Sequence, residues 1–158
     1  MFTFQDMERI AQHILVPIDF SEASDLALRA AALLAQQNGA SLVLCHVLDP
    51  QPLGPRGTRG EPGTEQVFTE AGVEKKIHEE LQRRAEHVLD GVEMRTAVIL
   101  SPNAAAGICD YAEKEGVDLI VLSTHGRTGL SHMLIGSVAE RVVRHAPCPV
   151  LTLRSKTK

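Results

Sequence analysis

Short, almost continuously apolar runs alternate along this chain with segments of helical spacing. Three of the runs are His13–Ile18, Leu42–Val47 and Asp118–Leu122. Runs of this kind are typical of strands that are covered on both faces. Because helical patterns separate them, we predict βαβ units, a largely parallel sheet and an α/β fold in which these three strands are central.

Two further runs have the character of edge strands. Val92–Val98 alternates apolar with polar residues, and Pro149–Arg154 begins with a proline, which cannot donate a hydrogen bond to a central ladder. Within the second run, Val150–Leu153 carries no charge. An exposed apolar edge of this kind usually has to be paired or covered.

Helical spacing predicts the apolar faces of the first two helices. The first face consists of Leu26, Ala30, Leu33 and Leu34. The second face consists of Ile77, Leu81, Ala85, Val88 and Leu89.

Cap signals predict the bounds of two later helices. Ser101–Pro102 supplies an N-cap and a proline at the first helical position, for a helix that ends near Gly116. Ser137–Glu140 has the spacing of a capping box, and Pro147 ends the helix that follows. The predicted apolar face of this last helix consists of Val138, Val142, Val143 and Ala146.

The composition is that of an ordinary globular protein, and the length of 158 residues predicts a single domain with one core. The net charge of −4 and the aromatic content of 3% argue against nucleic-acid or membrane partners. Three widely spaced cysteines argue against a disulfide framework and favour a reducing compartment. With no signal-peptide pattern and no apolar run of membrane-spanning length, a cytoplasmic location is expected.

The stretch from Asp49 to Glu65 contains four prolines and four glycines and almost no apolar residue. This composition predicts an extended, flexible loop. Since no second core follows it, we interpret residues 49–65 as an insertion after the second strand.

Two strand ends indicate where a ligand could bind. In open α/β sheets, ligands bind beyond the carboxyl ends of strands where the strand order reverses. The first strand ends in Pro17-Ile18-Asp19, and the fourth leads through Ser123–Gly129 to Gly136-Ser137 at a helix start. Glycines let backbone N–H groups approach a phosphate, and a helix N-terminus favours negative charge. The same spacing also fits a turn followed by a capping box.

No set of residues indicates catalysis or a protein-held metal. The seven histidines lack metal-ligand spacing. His46, at a strand end, and His125, in the loop, are candidates for contact with the ligand, but a role in packing or hydrogen bonding is favoured for both. A nucleophile with its base, an acid/base pair and a Walker loop are all missing from the sequence. We therefore predict no catalytic residues.

Four blocks of this sequence resemble the universal stress protein family. They are His13–Ser24 (HILVPIDFSEAS), Ser123–Gly129 (STHGRTG), Gly136–Val142 (GSVAERV) and Ala146–Val150 (APCPV). The blocks cover almost the whole chain except the N-terminal extension and the insertion. The resemblance implies a Rossmann-like fold, similar to adenine nucleotide alpha hydrolases, with a five-stranded parallel open sheet of order 3-2-1-4-5 and helices on both faces. It also implies a homodimer that pairs through Val150–Leu153.

Nucleotide-binding members of this family carry Gly-x-x-Gly, nine residues, and then Gly-Ser or Gly-Thr. Here Gly126, the nine residues Arg127–Ile135 and Gly136-Ser137 match, while Ser123 replaces the first glycine. The resemblance implies binding of ATP, with Mg²⁺ arriving on the triphosphate. It implies at most slow hydrolysis.

The resemblance also assigns roles to individual residues. Asp19 resembles the carboxylate near the ribose hydroxyls or a bound metal ion, and Pro17 and Leu42 resemble the walls around adenine. The residues that resemble the phosphate loop and helix start are Gly126, Arg127, Gly129, Gly136, Ser137 and Val138. The neighbouring candidates are Ile18, Ser123, Thr124 and His125. From the residues alone, Asp19 is also expected as the N-cap of the Phe20-Ser21 segment, and Leu42 as a core residue.

Two functions follow as hypotheses, and a third, a nucleotide hydrolase or adenylyl-transferring relative, is disfavoured by the missing catalytic residues. The first is a dimeric sensor or switch in which ATP closes or rigidifies the Ser123–Ile135 loop for an unidentified protein partner. The alternative is a nucleotide-independent dimeric interaction protein of the same fold, in which Ser123 marks the loss of binding.

Overall fold

A computed structural model describes residues 11–50, 70–88, 90–124 and 135–154 of the chain. Strands and helices alternate in the order β1 (His13–Pro17), α1 (Glu22–Asn38), β2 (Ser41–Leu48), α2 (Glu70–Ala85), β3 (Met94–Leu100), α3 (Ala104–Lys114), β4 (Leu119–Ser123), α4 (Ser137–His145) and β5 (Val150–Leu153). All strand pairs are parallel, and the sheet order is β3-β2-β1-β4-β5. The predicted fold class, strand order and two edge strands are confirmed. The prediction of an insertion falls mostly on residues 51–69, which lie outside the described ranges.

The sheet separates two apolar clusters, one on each face. Ile14 and Val16 of β1 pack with Leu28 of α1, whereas Leu15 packs with Ile108 of α3 on the opposite face. All five side chains are almost completely buried. Successive residues of a strand point to opposite faces, so a continuous apolar run means that both faces are covered.

Helix α1 buries a different face from the predicted one. Its buried residues are Ser24, Ala27, Leu28, Ala31, Ala32 and Ala35. The predicted face was wrong at Leu26 and Leu33, whose exposed fractions are 39% and 60%. Apolar residues occur all round this helix, so spacing alone did not distinguish its sides, and the alanine side lies against the sheet. In α2 the predicted residues Ile77, Leu81 and Ala85 do pack on the core. Val88 packs there too, but it lies in the turn after the helix, and Leu89 lies outside the described residues.

Helix α3 begins later than predicted. Its N-cap is Asn103, whose side chain accepts a hydrogen bond of 3.1 Å from the amide of Ala106. Ser101 lies before the cap, where its hydroxyl donates to the carbonyl of Asn103. The prediction of Ser101 as N-cap was therefore wrong.

Helix α4 has no capping box. Its N-cap is Gly136, which offers no side-chain cap, and Ser137 is the first helical residue. The buried side is formed by Ala139 and Val142, while Val138 and Val143 are 40% and 51% exposed, so the predicted face was wrong at these two positions. None of the helices in the described ranges is long and apolar enough to span a membrane.

Candidate functional site

A cleft of about 340 Å³ opens at the carboxyl ends of β1, β2 and β4. At this point the sheet order reverses, because β2 and β4 lie on opposite sides of β1. The predicted site residues that line it are Pro17, Ile18, Asp19, Ser123, Thr124, Gly136, Ser137 and Val138. The structure therefore brings together residues from two distant segments of the chain. The predicted residues His125, Gly126, Arg127 and Gly129 lie outside the described residues.

The corner between β1 and α1 forms one wall of the cleft. Oδ1 of Asp19 accepts hydrogen bonds from the amide of Ser21 at 3.0 Å and from its hydroxyl at 2.5 Å. The Ser21 hydroxyl in turn accepts from the amide of Ser24 at 3.2 Å, so Ser21 is the N-cap of α1. The expectation that Asp19 is the N-cap was wrong. Asp19 instead sits two residues before the cap, with its half-buried carboxylate at the mouth of the cleft.

The end of β2 supports this corner. The amide of Ile18 donates to the carbonyl of Cys45 at 2.7 Å. Nδ1 of His46 lies 2.7 Å from the carbonyl oxygen of Ile18 and must be the donor, since a carbonyl only accepts. This bond fixes the hydrogen of His46 on Nδ1 and turns the ring towards the corner.

The opposite wall joins the end of β4 to the start of α4. The amide of Thr124 donates to the carbonyl of Leu153 at 2.8 Å, and the amide of Gly136 donates to the carbonyl of Thr124 at 2.6 Å. A Cβ on Gly136 would stand 2.9 Å from that same carbonyl oxygen. The backbone torsions of Gly136 are accessible to any residue, so lack of space is what requires glycine here.

This wall presents the N-terminus of α4 to the cleft. The first amide groups of an α-helix have no acceptor within the helix and carry partial positive charge. Ser137 and Val138, the first two helical residues, line the same cleft as Asp19. The cleft therefore has a carboxylate on one side and a site suited to an anion on the other.

Leu42 does not belong to the cleft. It lies near the start of β2, fully buried in the core, and its neighbours in the sheet are Ile14 and Met94. The residues of β2 that line the cleft are Cys45, His46 and Val47 at its carboxyl end. Sequence reasoning named His46 as a candidate contact but missed Cys45 and Val47, although the rule that ligands collect at carboxyl ends would have favoured them over Leu42.

Cys45, although it lines the cleft, is not suited to act as a nucleophile. Its side chain is completely buried beneath the cleft, and this burial raises the pKa of the thiol far above its ordinary value. A protonated, buried thiol behaves as a small apolar group. Across the ranges that the structure covers, no group of three or more histidine, cysteine or acidic side chains is placed to hold a metal ion.

A larger groove of about 900 Å³ lies between α3 and α4. Charges of both signs line it, including Asp110, Glu113, Arg141 and Arg144. It meets the smaller cleft at Ser137, and it gathers no single kind of ligand chemistry. The smaller cleft is therefore the candidate site.

An open parallel sheet with a cleft at its reversal point defines the class of α/β proteins that bind ligands beyond their strand ends. The model of the universal stress protein family matches residues 11–154, and the chain belongs to that family. Universal stress protein MJ0531 of Methanocaldococcus jannaschii is 35% identical over 96% of this chain and 86% of its own length.

Solved structures support the same assignment. The structure of MJ0577 of Methanocaldococcus jannaschii has a TM-score of 0.72 at 27% identity, covering 94% of this chain and 99% of that one. At lower identity the fold is shared with a universal stress protein in complex with cAMP (22% identity, TM-score 0.60, covering 93% and 99% of the two chains). It is also shared with one from Archaeoglobus fulgidus in complex with dAMP (23% identity, TM-score 0.56, covering 90% and 98%).

Proposed function

We propose that this universal stress protein binds ATP, as Mg-ATP, in the cleft between the β1–α1 corner and the start of α4. The observation that carries the proposal is the contact between Gly136 and Thr124, which leaves no room for a side chain at the helix start. Absence of a Cβ lets the amides of a helix N-terminus reach a phosphate. The adenine nucleotides in two solved complexes of the family fold support the class of ligand.

The lining of the cleft supports an orientation for the nucleotide. Asp19 would accept hydrogen bonds from the ribose hydroxyls, and the apolar surface of Pro17, Ile18 and Val47 would contact adenine. The phosphates would extend towards the opposite wall. The residues proposed to hold them are Ser123, Thr124, His125, Gly126, Arg127, Gly129, Gly136, Ser137 and Val138.

Magnesium fits this site only as a partner of the nucleotide. Mg²⁺ keeps several waters and usually takes one or two carboxylates together with phosphate oxygens. Asp19 is the carboxylate that lines the cleft among the described residues. It would hold the ion directly or through water, and the ion would neutralise phosphate charge. We propose at most slow ATP hydrolysis.

We further propose a homodimer that forms through β5. This edge strand is four residues long, and Leu151 is 37% exposed on it. Val143 on the neighbouring α4 is 51% exposed. Pairing of Val150–Leu153 with its copy across a two-fold axis would cover the edge and its apolar side chains.

As a working unit, we propose one cytoplasmic domain spanning residues 1–158, with neither nucleic acid nor membrane as a partner. ATP would bridge the two walls of the cleft, and its binding would close or rigidify the loop Ser123–Ile135. A protein partner would then read the changed surface. This makes the chain a sensor or switch in the stress response.

One observation favours a second function. Ser123 lines the cleft where nucleotide-binding members of the family carry glycine, so its Cβ and hydroxyl occupy space near the ligand. In a nucleotide-independent dimeric interaction protein, the two walls would serve only the fold. The two functions differ in whether adenine is bound.

Nucleotide bound at equilibrium tests the proposal. The chain has one tyrosine and no tryptophan, so adenine absorbance stands out clearly against the protein spectrum. Protein dialysed to equilibrium against Mg-ATP should hold close to one molecule of adenine nucleotide per chain in excess of the dialysate. No excess of nucleotide on the protein side would favour the second function.

A further inference from the structure

We propose that Arg84 of α2 is a positioning residue for the nucleotide site, acting through the corner that carries Asp19. The inference deepens the proposed function and rests on it for its effect on ATP. Arg84 would help to hold the backbone next to Asp19 in place whether or not ATP is bound.

Phe20, the residue after Asp19, has a left-handed backbone with φ of +67°. Residues other than glycine rarely adopt this conformation, and it persists only where the surroundings hold it. The turn directs the chain from the end of β1 into α1 and places Asp19 at the cleft. What holds Phe20 therefore also sets the position of the carboxylate.

Arg84 binds the backbone carbonyl of Phe20 from outside the corner. Its Nη2 donates to the carbonyl oxygen of Phe20 at 3.1 Å, and its guanidinium carbon lies 5.4 Å from the centre of the Phe20 ring. Nη1 is paired with Asp25 of α1, and Nε donates to Glu80 at 3.0 Å. Only 18% of the Arg84 side chain is exposed, and the two carboxylates orient its guanidinium group.

The carbonyl on the other side of Asp19 is held as well. His46 donates to the carbonyl of Ile18 at 2.7 Å, and its ring lies 4.6 Å from the ring of Phe20. Side chains of α2 and β2 thus bind the backbone carbonyl groups of Phe20 and Ile18, the two residues that flank Asp19. The hydrogen bonds from Ser21 then orient the carboxylate itself.

The neighbouring residue Arg83 provides a matched control. It carries the same charge on the same helix and also pairs with Glu80, at 2.7 Å. Its side chain is 64% exposed, and its hydrogen bonds go to Glu80. Replacing Arg83 removes a charge and an ion pair but leaves the Phe20 carbonyl with its donor.

The test compares Arg84→Met with Arg83→Met in the full chain. Hydrogen exchange read at the Ser21 amide, which is bonded to Asp19, should be about tenfold faster in Arg84→Met and unchanged in Arg83→Met. Titration with Mg-ATP should show about fivefold weaker binding for Arg84→Met. Arg84→Lys keeps the charge but lacks the planar guanidinium group, so it should fall between wild type and Arg84→Met in both measurements. This variant replaces Arg84→Met in the test if Arg84→Met does not fold.

A double-mutant cycle with Asp19→Asn separates positioning from general destabilisation. If Arg84 acts through Asp19, its replacement should cost little further ATP affinity once the carboxylate is gone. Fully additive losses, or equal exchange at Ser21 in Arg84→Met and Arg83→Met, would overturn the inference. If the wild-type chain binds no ATP, the proposed function fails, while the exchange comparison still decides whether Arg84 positions the corner.

Discussion

The amide nitrogen of Gly136 lies 2.6 Å from the carbonyl oxygen of Thr124, so the start of α4 is bonded directly to the end of β4. A Cβ added to Gly136 would stand 2.9 Å from the same oxygen, closer than carbon and oxygen pack. The obstructing atom belongs to the backbone and cannot rotate away. Any side chain at Gly136 must therefore push the start of α4 away from the end of β4.

Gly136→Ala should weaken ATP binding about tenfold, because donors displaced by part of an ångström lose most of a hydrogen bond. Calorimetric titration measures the change. The matched control is Gly39→Ala, where φ is +65° and no atom lies within 4 Å of the added Cβ. That variant should lose about 1 kcal/mol of stability with unchanged ATP affinity. Equal ATP affinity in both variants would contradict a site at the start of α4.

Asp19→Asn keeps an Oδ1 acceptor for Ser21 but removes the charge. We expect ATP affinity to fall about tenfold, since hydrogen bonds to a charged group are the stronger kind. The loss should shrink with 2′,3′-dideoxy-ATP, which lacks the ribose hydroxyls. Asp110→Asn, an exposed change on α3, serves as the control in the same titrations. The same loss with both nucleotides would argue against contact with the ribose.

Ser123→Gly restores the glycine that nucleotide-binding relatives carry at this position. Removing a Cβ and hydroxyl from the cleft lining should tighten ATP binding by about threefold, and glycine in a strand should cost about 0.5–1 kcal/mol of stability. Titration and urea denaturation measure the two effects. Weaker ATP binding in the variant would mean that the Ser123 hydroxyl is itself a ligand contact.

Leu151→Lys should convert the proposed dimer into a monomer. Leu151 is 37% exposed on the edge strand, and a two-fold pairing would bring two lysines together. Light scattering after size-exclusion chromatography measures the mass. Leu33→Lys, at a leucine on α1 that is 60% exposed, should leave the dimer intact. A wild-type chain that is monomeric, or a Leu151→Lys dimer, would contradict pairing through β5.

Hydrogen bonding to Arg83, assisted by Arg84, lowers the pKa of Glu80 from 4.5 to about 2. A carboxylate with a lowered pKa in the folded state adds stability above its ordinary pKa and loses it as the pH falls to the folded value. The difference in unfolding free energy between wild type and Glu80→Gln should therefore shrink from pH 4.5 to about pH 2. Because Glu80 is partly exposed, this difference is at most about 1 kcal/mol. Urea denaturation across this range measures it, and a constant difference would contradict the pairing.

The α/β class could be predicted from local runs of apolar residues, whose meaning does not depend on tertiary packing. Ile14, Leu15 and Val16 are consecutive, apolar and β-branched or aliphatic, and between helical patterns such a short run favours a strand covered on both faces. The order of the strands came from the family resemblance. Pro17, Asp19 and Gly136 could be placed at one cleft because parallel strands end at the same edge of a sheet.

The errors arose where tertiary packing decides between equivalent local patterns. Alanines and leucines both recur at helical spacing in α1, and only packing against the sheet shows that Ala31 is inside and Leu33 outside. Ser137 has the spacing of a capping residue, but the bond from Gly136 to Thr124 starts the helix one residue earlier than a capping serine would. The contacts of Arg84 join residues 59 and 64 positions apart, which no local pattern reveals.

Calorimetric titration of Mg-ATP into nucleotide-stripped wild-type protein, with AMP as the comparison ligand, shows whether the cleft binds ATP through its phosphates. If the start of α4 holds phosphates, ATP should bind with a Kd near 1 μM, and AMP at least about tenfold more weakly. Absence of heat and of thermal stabilisation by either nucleotide would contradict an ATP site in this cleft.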